Sequence, residues 1–204
     1  MGIGLRPMAW PAIDIARDRT NARERLLLRA LLAMMFTCFA SLGAVIAIPL
    51  PPDGVPMTLQ TLAVLLSALC LGPRLGMASM LVYVVVGMVG AGVFAQGEKG
   101  IEAVLGQTGG YLVGFVVCQP AVGTIARRRD GSVRGWLAMI VAVLVGEVII
   151  FGLGVPWLAL VNDYSMARAL EGGLYPFLPG TAVKTAMAVV IGRMAAPLSS
   201  RHAW

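Results

Sequence analysis

The sequence predicts an all-α integral membrane protein, a bundle of six transmembrane helices with both termini in the cytoplasm. Of its 204 residues, 58% are hydrophobic and 13% charged, and the mean hydropathy is +0.84. A soluble domain runs nearer to about 45–50% apolar and about 25% charged. The apolar residues fall into runs close to the roughly 20 residues that a spanning helix needs. The cations behind the net charge of +6 sit in short clusters between those runs, where topology signals belong and not where a nucleic-acid-binding face would be. The 12 Pro and 25 Gly fit this class, because neighbouring helices re-satisfy backbone groups that these residues free inside a membrane.

Six runs qualify as spans: Leu26–Ile48, Met57–Leu71, Leu75–Phe94, Gly109–Ala126, Gly135–Val161 and Thr181–Ala196. The second and sixth are short, which fits buried, tilted or partly re-entrant segments. The fifth is long enough to tilt, or to break at Gly152, Gly154 and Pro156. This divides the chain into a basic N-terminal arm (1–25), a membrane domain (26–198) and a short tail (199–204). Met1–Asn21 lacks the apolar core of a secretory signal and carries Arg6, Arg17 and Arg19.

Orientation follows from the cations. Arg6, Arg17, Arg19, Arg23, Arg25 and Arg29 precede or open the first span, Arg74 marks the second-to-third junction, and Arg127, Arg128, Arg129 and Arg134 fill the fourth-to-fifth loop. Arg193 and Arg201 close the chain on the same side, while the opposite side holds only Lys99 and Arg168. Positive residues stay inside, so both termini are cytoplasmic, as an even number of spans requires. The connections on the outer side are long and rich in Gly and Pro: 49–56, 95–107 and 162–180. Long loops tend to be functional, so a ligand site is expected to open outward. No internal repeat is visible, which argues against an inverted-repeat carrier.

Two charges lie within apolar runs. Lys184 sits about one turn into the last span, where a cation costs roughly 2.5–3.5 kcal/mol on insertion scales. It either snorkels to the surface or pairs with an anionic group of a ligand, and function is the default for an ionisable group in a membrane. Glu147, midway along the fifth span, is open to three roles: pairing with Lys184, contacting a ligand, or staying protonated. Gly106-Gln107-Thr108-Gly109-Gly110-Tyr111 opens the fourth span, and Thr108 is placed to cap that helix. Its glycines permit close backbone approach, the helix start favours an anion or carbonyl oxygen, and Tyr111 can stack and donate a hydrogen bond. An ordinary loop-to-helix turn with an interfacial tyrosine fits the same residues. In the first span Ala33, Thr37 and Ser41 form a small-residue stripe suited to close helix packing, within the bundle or against a second membrane subunit.

Some chemistry is missing. No Gly-x-x-x-x-Gly-Lys-Ser/Thr string occurs, so this chain lacks a P-loop. His202 is the sole histidine, and Cys38, Cys70 and Cys118 have no metal-ligand spacing and read as packed core residues. Nothing calls for a metal, a cofactor or an enzyme's catalytic set. Arg127-Arg128-Arg129 is most simply a topology signal, with anionic lipid contact second.

In order along the chain, Ile48-Pro49-Leu50-Pro51-Pro52, Val55-Pro56-Met57-Thr58-Leu59-Gln60-Thr61-Leu62, Leu71-Gly72-Pro73-Arg74-Leu75-Gly76, Tyr83 to Gly90, Val93-Phe94-Ala95, Gly106-Gln107-Thr108-Gly109-Gly110-Tyr111-Leu112 and Pro176-Phe177-Leu178-Pro179-Gly180 with Lys184 form one pattern. It resembles the BioY family, the biotin-specific S components of energy-coupling factor transporters, from about residue 30 to residue 195. Three positions depart from the family pattern: Gln107 and Gly92 stand where it has proline, and Thr181 where it has an aspartate three residues before the lysine. The resemblance implies a biotin pocket near the extracellular end of a six-helix bundle in a prokaryotic cell membrane. Its walls would be Phe94, Tyr111 and Phe177. Lys184 would bind the carboxylate or a ureido edge, and Gln107, Thr108 with Gly109, and Glu147 would add hydrogen bonds. It also implies partners, a transmembrane coupling protein and two ABC ATPases, with Ala33, Thr37 and Ser41 as the docking stripe. The alternative is a stand-alone biotin carrier using Glu147 as a proton site.

Overall fold

Backbone polar groups that face lipid must bond within their own segment, so long apolar runs fold as helices. In the computed structural model these are α1 (Pro11–Val45), α2 (Gln60–Met88), α4 (Gly109–Ala126), α5 (Trp136–Val161) and α7 (Leu178–Ala203), joined by short elements. The structure describes residues 11–50, 54–128 and 130–203, with side chains described for 22–48, 55–128 and 130–196. Arg6, Pro51, Pro52, Asp53 and Arg129, and the side chains of Arg17, Arg19 and Arg201, lie outside the described residues. Among those described, five helical stretches are long and apolar enough to cross a membrane: Ala22–Val45, Gln60–Met88, Gly109–Ala126, Trp136–Val161 and Met166–Ala196. Their outer faces expose aliphatic side chains such as Val148 at 72% and Leu160 at 76%. Such a surface suits hydrocarbon, not water.

The predicted second and third spans form the single element α2, broken inside. Gly72 takes φ 76 and ψ −174, a region essentially reserved for glycine. Pro73 follows at the start of the next arm, where its missing N–H is no loss. The arms 60–71 and 73–88 lie side by side: a Cβ on Gly76 would stand 3.4 Å from Ala68 Cα, and Gln60 Nε2 donates to Tyr83 Oη. One straight helix would hold Gln60 and Tyr83 about 34 Å apart, so the chain reverses at Gly72.

The bundle is not wholly helical. The first helix stops at Val45, and β1 (Ala47–Leu50) pairs antiparallel with β2 (Gly54–Thr58). Proline density forbids helix here, and Pro49, which has no N–H to give, sits where the register slips between Ile48 and Leu50. Hence α2 begins at Gln60 and not at Met57. It ends at Met88 rather than Phe94, with Gly90 at φ 107 just beyond. α5 neither breaks at Gly152 and Gly154 nor stops at Pro156, and α7 starts before Thr181.

The predicted outer loops are partly helical: a 3-10 turn at Ala95–Gly97, α3 (Gly100–Leu105), α6 (Met166–Gly173) and a second 3-10 turn at Tyr175–Phe177. α2 packs against α1, α4 and α7, and α5 against α4, α6 and α7. Ala33 and Thr37 are buried inside this chain: Thr37 Oγ1 lies 3.0 Å from Ser79 O, and Ser79 Oγ donates to Ala33 O at 2.7 Å. Ser41 is half-buried and donates to Thr37 O at 2.9 Å. Ala33 and Thr37 thus lie against the second arm of α2. Cys70 and Cys118 are buried as expected, whereas Cys38 is exposed on α1.

At the opposite end from the hairpin, Arg127 follows α4. Its guanidinium is buried and donates from Nε and Nη2 to Leu69 O at 3.0 and 2.7 Å and from Nη1 to Gly131 O at 3.1 Å. It thereby satisfies a carbonyl that the break at Gly72 leaves without a continuing helix.

Candidate ligand-binding site

A cavity lies where the β-hairpin, the 3-10 turn at Ala95–Gly97, the start of α4 and the start of α7 converge. Its atom-free space is about 500 Å³ with the open mouth included. Most of that space lies toward the mouth, and little of it is deep. The aromatic walls are therefore close together, and a ligand must press between rings.

Those walls come from four elements. Tyr111 and Phe115 project from α4, Phe151 from α5, Phe177 from the turn before α7, and Phe94 from the connector after α2. Tyr111 meets Phe151 edge-to-face at 6.1 Å, and Phe151 meets Phe177 at 5.8 Å. Phe94 sets its edge against Tyr83 at 5.6 Å. Such pairs fix ring orientation as well as burying area. Tyr111 is further held by its hydroxyl, which donates to Gly173 O at 2.8 Å. A side chain at Gly154 would collide with the Tyr111 ring, so glycine there lets α5 come within contact of it.

One cation enters this wall. Lys184 is 4% exposed, lines the cavity and donates from Nζ to Thr58 O at 3.1 Å. It does not snorkel to the surface. Thr58 Oγ1 donates to Gln60 Oε1 at 3.0 Å, and Tyr83 Oη donates onward to Val93 O at 3.0 Å. This chain of bonds fixes the polar side of the cavity. Thr61 adds a buried hydroxyl that has no partner. An unpaired buried hydroxyl is costly, so Thr61 is primed for a ligand atom.

The cavity gathers five of the predicted residues: Lys184, Tyr111, Thr108, Phe94 and Phe177. Three lie off its lining. Gln107 Nε2 donates to Asn162 Oδ1 at 3.1 Å, tying the start of α4 to the end of α5. Gly109 lies against Val104 O and the Trp157 ring, where any side chain would clash. Thr108 occupies the position before α4, yet its hydroxyl turns back to Ala103 O at 3.3 Å and does not cap the helix.

Glu147 is also off the lining, one turn below Ile150 and Phe151. Met139 Cε on α5 lies 3.3 Å from where a Cβ of Gly192 on α7 would be. Counting from that contact along two antiparallel helices, Glu147 and Lys184 are each about 12 Å further on, at one depth. Both oxygens of Glu147 are buried without a hydrogen-bond partner, and no Lys184–Glu147 ion pair within 4.0 Å occurs among the described residues.

Thr58, Gln60 and Thr61 were not singled out from sequence as contact residues. Their signal was present: three hydrogen-bonding side chains within four positions at the head of an apolar run, in the string Val55 to Leu62. The arrangement suits a small, largely apolar ring compound that carries an anionic or strongly accepting group.

The chain is similar to the probable biotin transporter BioY of Pyrococcus horikoshii, 38% identical over 160 residues that cover 78% of this chain and 91% of that protein. It is similar to the biotin transporter BioY of Thermotoga maritima, 37% identical over 161 residues that cover 78% and 90%. Its fold matches the crystal structure of the S-component for biotin from an ECF-type ABC transporter, with a TM-score of 0.74 at 24% identity, covering 86% of this chain and 92% of that one. A profile described as the BioY family matches residues 17–201. With that match running from α1 to α7, through every element that builds the cavity, this multi-pass membrane protein belongs to the BioY family.

Proposed function

We propose that this chain binds biotin in the aromatic cavity and serves as the substrate-binding S component of an ECF-type importer in the cell membrane, not as an enzyme. The observation that carries the reading is Lys184, a buried ammonium set in aromatic walls. Biotin pairs a compact ring system with a ureido group and an acid tail. Rings between Phe94, Tyr111 and Phe177 would hold the first, and Lys184 would bind the carboxylate or a ureido edge. Thr61 and Thr108 would complete the hydrogen bonds. Gln107 and Gly109 would act by fixing the start of α4, and Glu147 by holding a countercharge level with Lys184.

Counting the two arms of α2 separately gives six segments. We read these as six crossings that return both termini to the cytoplasm, leaving the cavity mouth outside. The relatives' names and the shared fold support a partnership with a transmembrane coupling protein and ABC ATPases. Isothermal titration of the purified chain with biotin tests the reading. Saturable binding in the wild type that is weakened at least tenfold in Lys184→Ala supports it, and equal affinity in both removes Lys184 from the site.

The unpartnered carboxyl of Glu147 favours one second reading, a carrier that works alone with Glu147 as its proton site. Proton-driven biotin uptake into proteoliposomes that contain only this chain, abolished in Glu147→Gln, would establish it in place of the first.

A further inference from the structure

A second hollow, with about 1440 Å³ of atom-free space including its open mouth, lies at the opposite end of the bundle and takes no part in the biotin reading. Five guanidinium groups line it: Arg29 from α1, Arg74 just past the break in α2, Arg127 and Arg128 after α4, and Arg134 before α5. None of the residues lining it is acidic. Arg127 is committed to backbone carbonyls and forms the floor, and Arg134 Nε donates to Arg127 O at 3.0 Å. Arg29 Nε, by contrast, is buried without a partner. Arg74 and Arg128 are exposed at the rim. The second arm of α2 also starts here at Pro73, so the positive end of its dipole adds to the same field.

Converging like charges repel one another unless an anion joins them. A topology signal asks only that arginines lie on one side of the membrane, not that they face one hollow. The rest of the lining narrows the choice of anion. Leu71, Leu75 and Ala78 make one wall apolar, and Leu26, on the same face of α1 as Arg29, is exposed. A phosphate carrying acyl chains can set its oxygens among the guanidinium forks and its chains along those aliphatic faces. A free anion would leave the apolar wall unused.

We propose that this cavity binds the phosphate group of an anionic phospholipid, which fastens the basic end of the bundle at the bilayer surface. The test titrates the full chain, in a zwitterionic detergent, with short-chain phosphatidylglycerol, phosphatidylcholine, inorganic phosphate and a hexaglutamate peptide, following intrinsic tryptophan fluorescence. The expected result is saturable binding of phosphatidylglycerol alone. Arg74→Gln/Arg128→Gln should weaken it at least tenfold, while Arg74→Lys/Arg128→Lys retains most of it. Biotin affinity, read on the same samples, should not change in either variant, so a failure here is separate from a failure of the biotin reading. Equal responses to the two lipids, or unchanged lipid affinity in the glutamine variant, would overturn the proposal. So would matching affinity for inorganic phosphate, which assigns a free-anion site, or preference for the peptide, which assigns a protein-docking surface.

Discussion

Replacing Lys184 by methionine isolates the ammonium from the rest of the side chain. Methionine keeps the unbranched apolar stem and fills nearly the same volume, so the packing of α7 against the cavity changes little. What disappears is one positive charge, 4% exposed, and its 3.1 Å hydrogen bond to Thr58 O. A hydrogen bond to a charged group contributes about 1.5–3 kcal/mol. Removing it from the biotin complex should raise the dissociation constant about ten- to hundredfold. The unliganded protein should respond differently. Relief of one buried charge offsets the loss of the Thr58 O donor and of the cation level with Glu147, so the midpoint of thermal unfolding without ligand should move little. Calorimetric titration with biotin and a thermal melt on the same preparation read both quantities. A dissociation constant within threefold of the wild type would refute the assignment of Lys184. A large fall in the melting midpoint would show that the lysine holds the fold and not the ligand.

The hydroxyl of Thr61 is buried and unpaired, so Thr61→Val should leave stability level or slightly higher while weakening biotin binding by roughly two- to tenfold, the worth of one neutral hydrogen bond. Equal binding in a titration would exclude this hydroxyl from the ligand shell. Tyr111→Phe strips Gly173 O of its 2.8 Å donor and should cost about 1–3 kcal/mol in a detergent unfolding measurement; no loss would mean that the carbonyl finds another partner. Gly72→Ala places a side chain at φ 76 and ψ −174, which should cost about 1–3 kcal/mol. An unchanged unfolding midpoint would contradict a sharp chain reversal at that residue.

Two runs were legible almost to the residue. The predicted Gly109–Ala126 and Gly135–Val161 match α4 and α5 because each is bounded by a sharp change of composition. The segment Ala47–Thr58 was not, since a hydropathy window cannot tell a short buried strand from the frayed end of a helix. Its prolines held the information, as they exclude helix but permit a hairpin edge. The predicted junction between the second and third spans at Arg74 agrees with the reversal at Gly72-Pro73, although the two arms form one element. In the cavity, Lys184 stood out because a cation in an apolar run has few bland explanations. Thr61 and Gln60 did not, because neutral polar side chains in such runs usually satisfy a neighbouring backbone. What makes them a site is long-range: Gln60 reaches Tyr83 and Lys184 reaches Thr58 only after the chain has folded back. Ala33 and Thr37 show the converse. Their pattern signalled close packing, but only the structure shows that the neighbour is Ser79 of the same chain.

The most direct test is a calorimetric titration of the purified wild-type chain with biotin alone, in detergent or nanodiscs. One ligand per chain and a dissociation constant below about 1 μM, equivalent to roughly −8 kcal/mol, is the expected result. No saturable heat up to millimolar biotin, in a sample that still melts cooperatively, would contradict the claim that this aromatic, lysine-bearing cavity is made for that ligand.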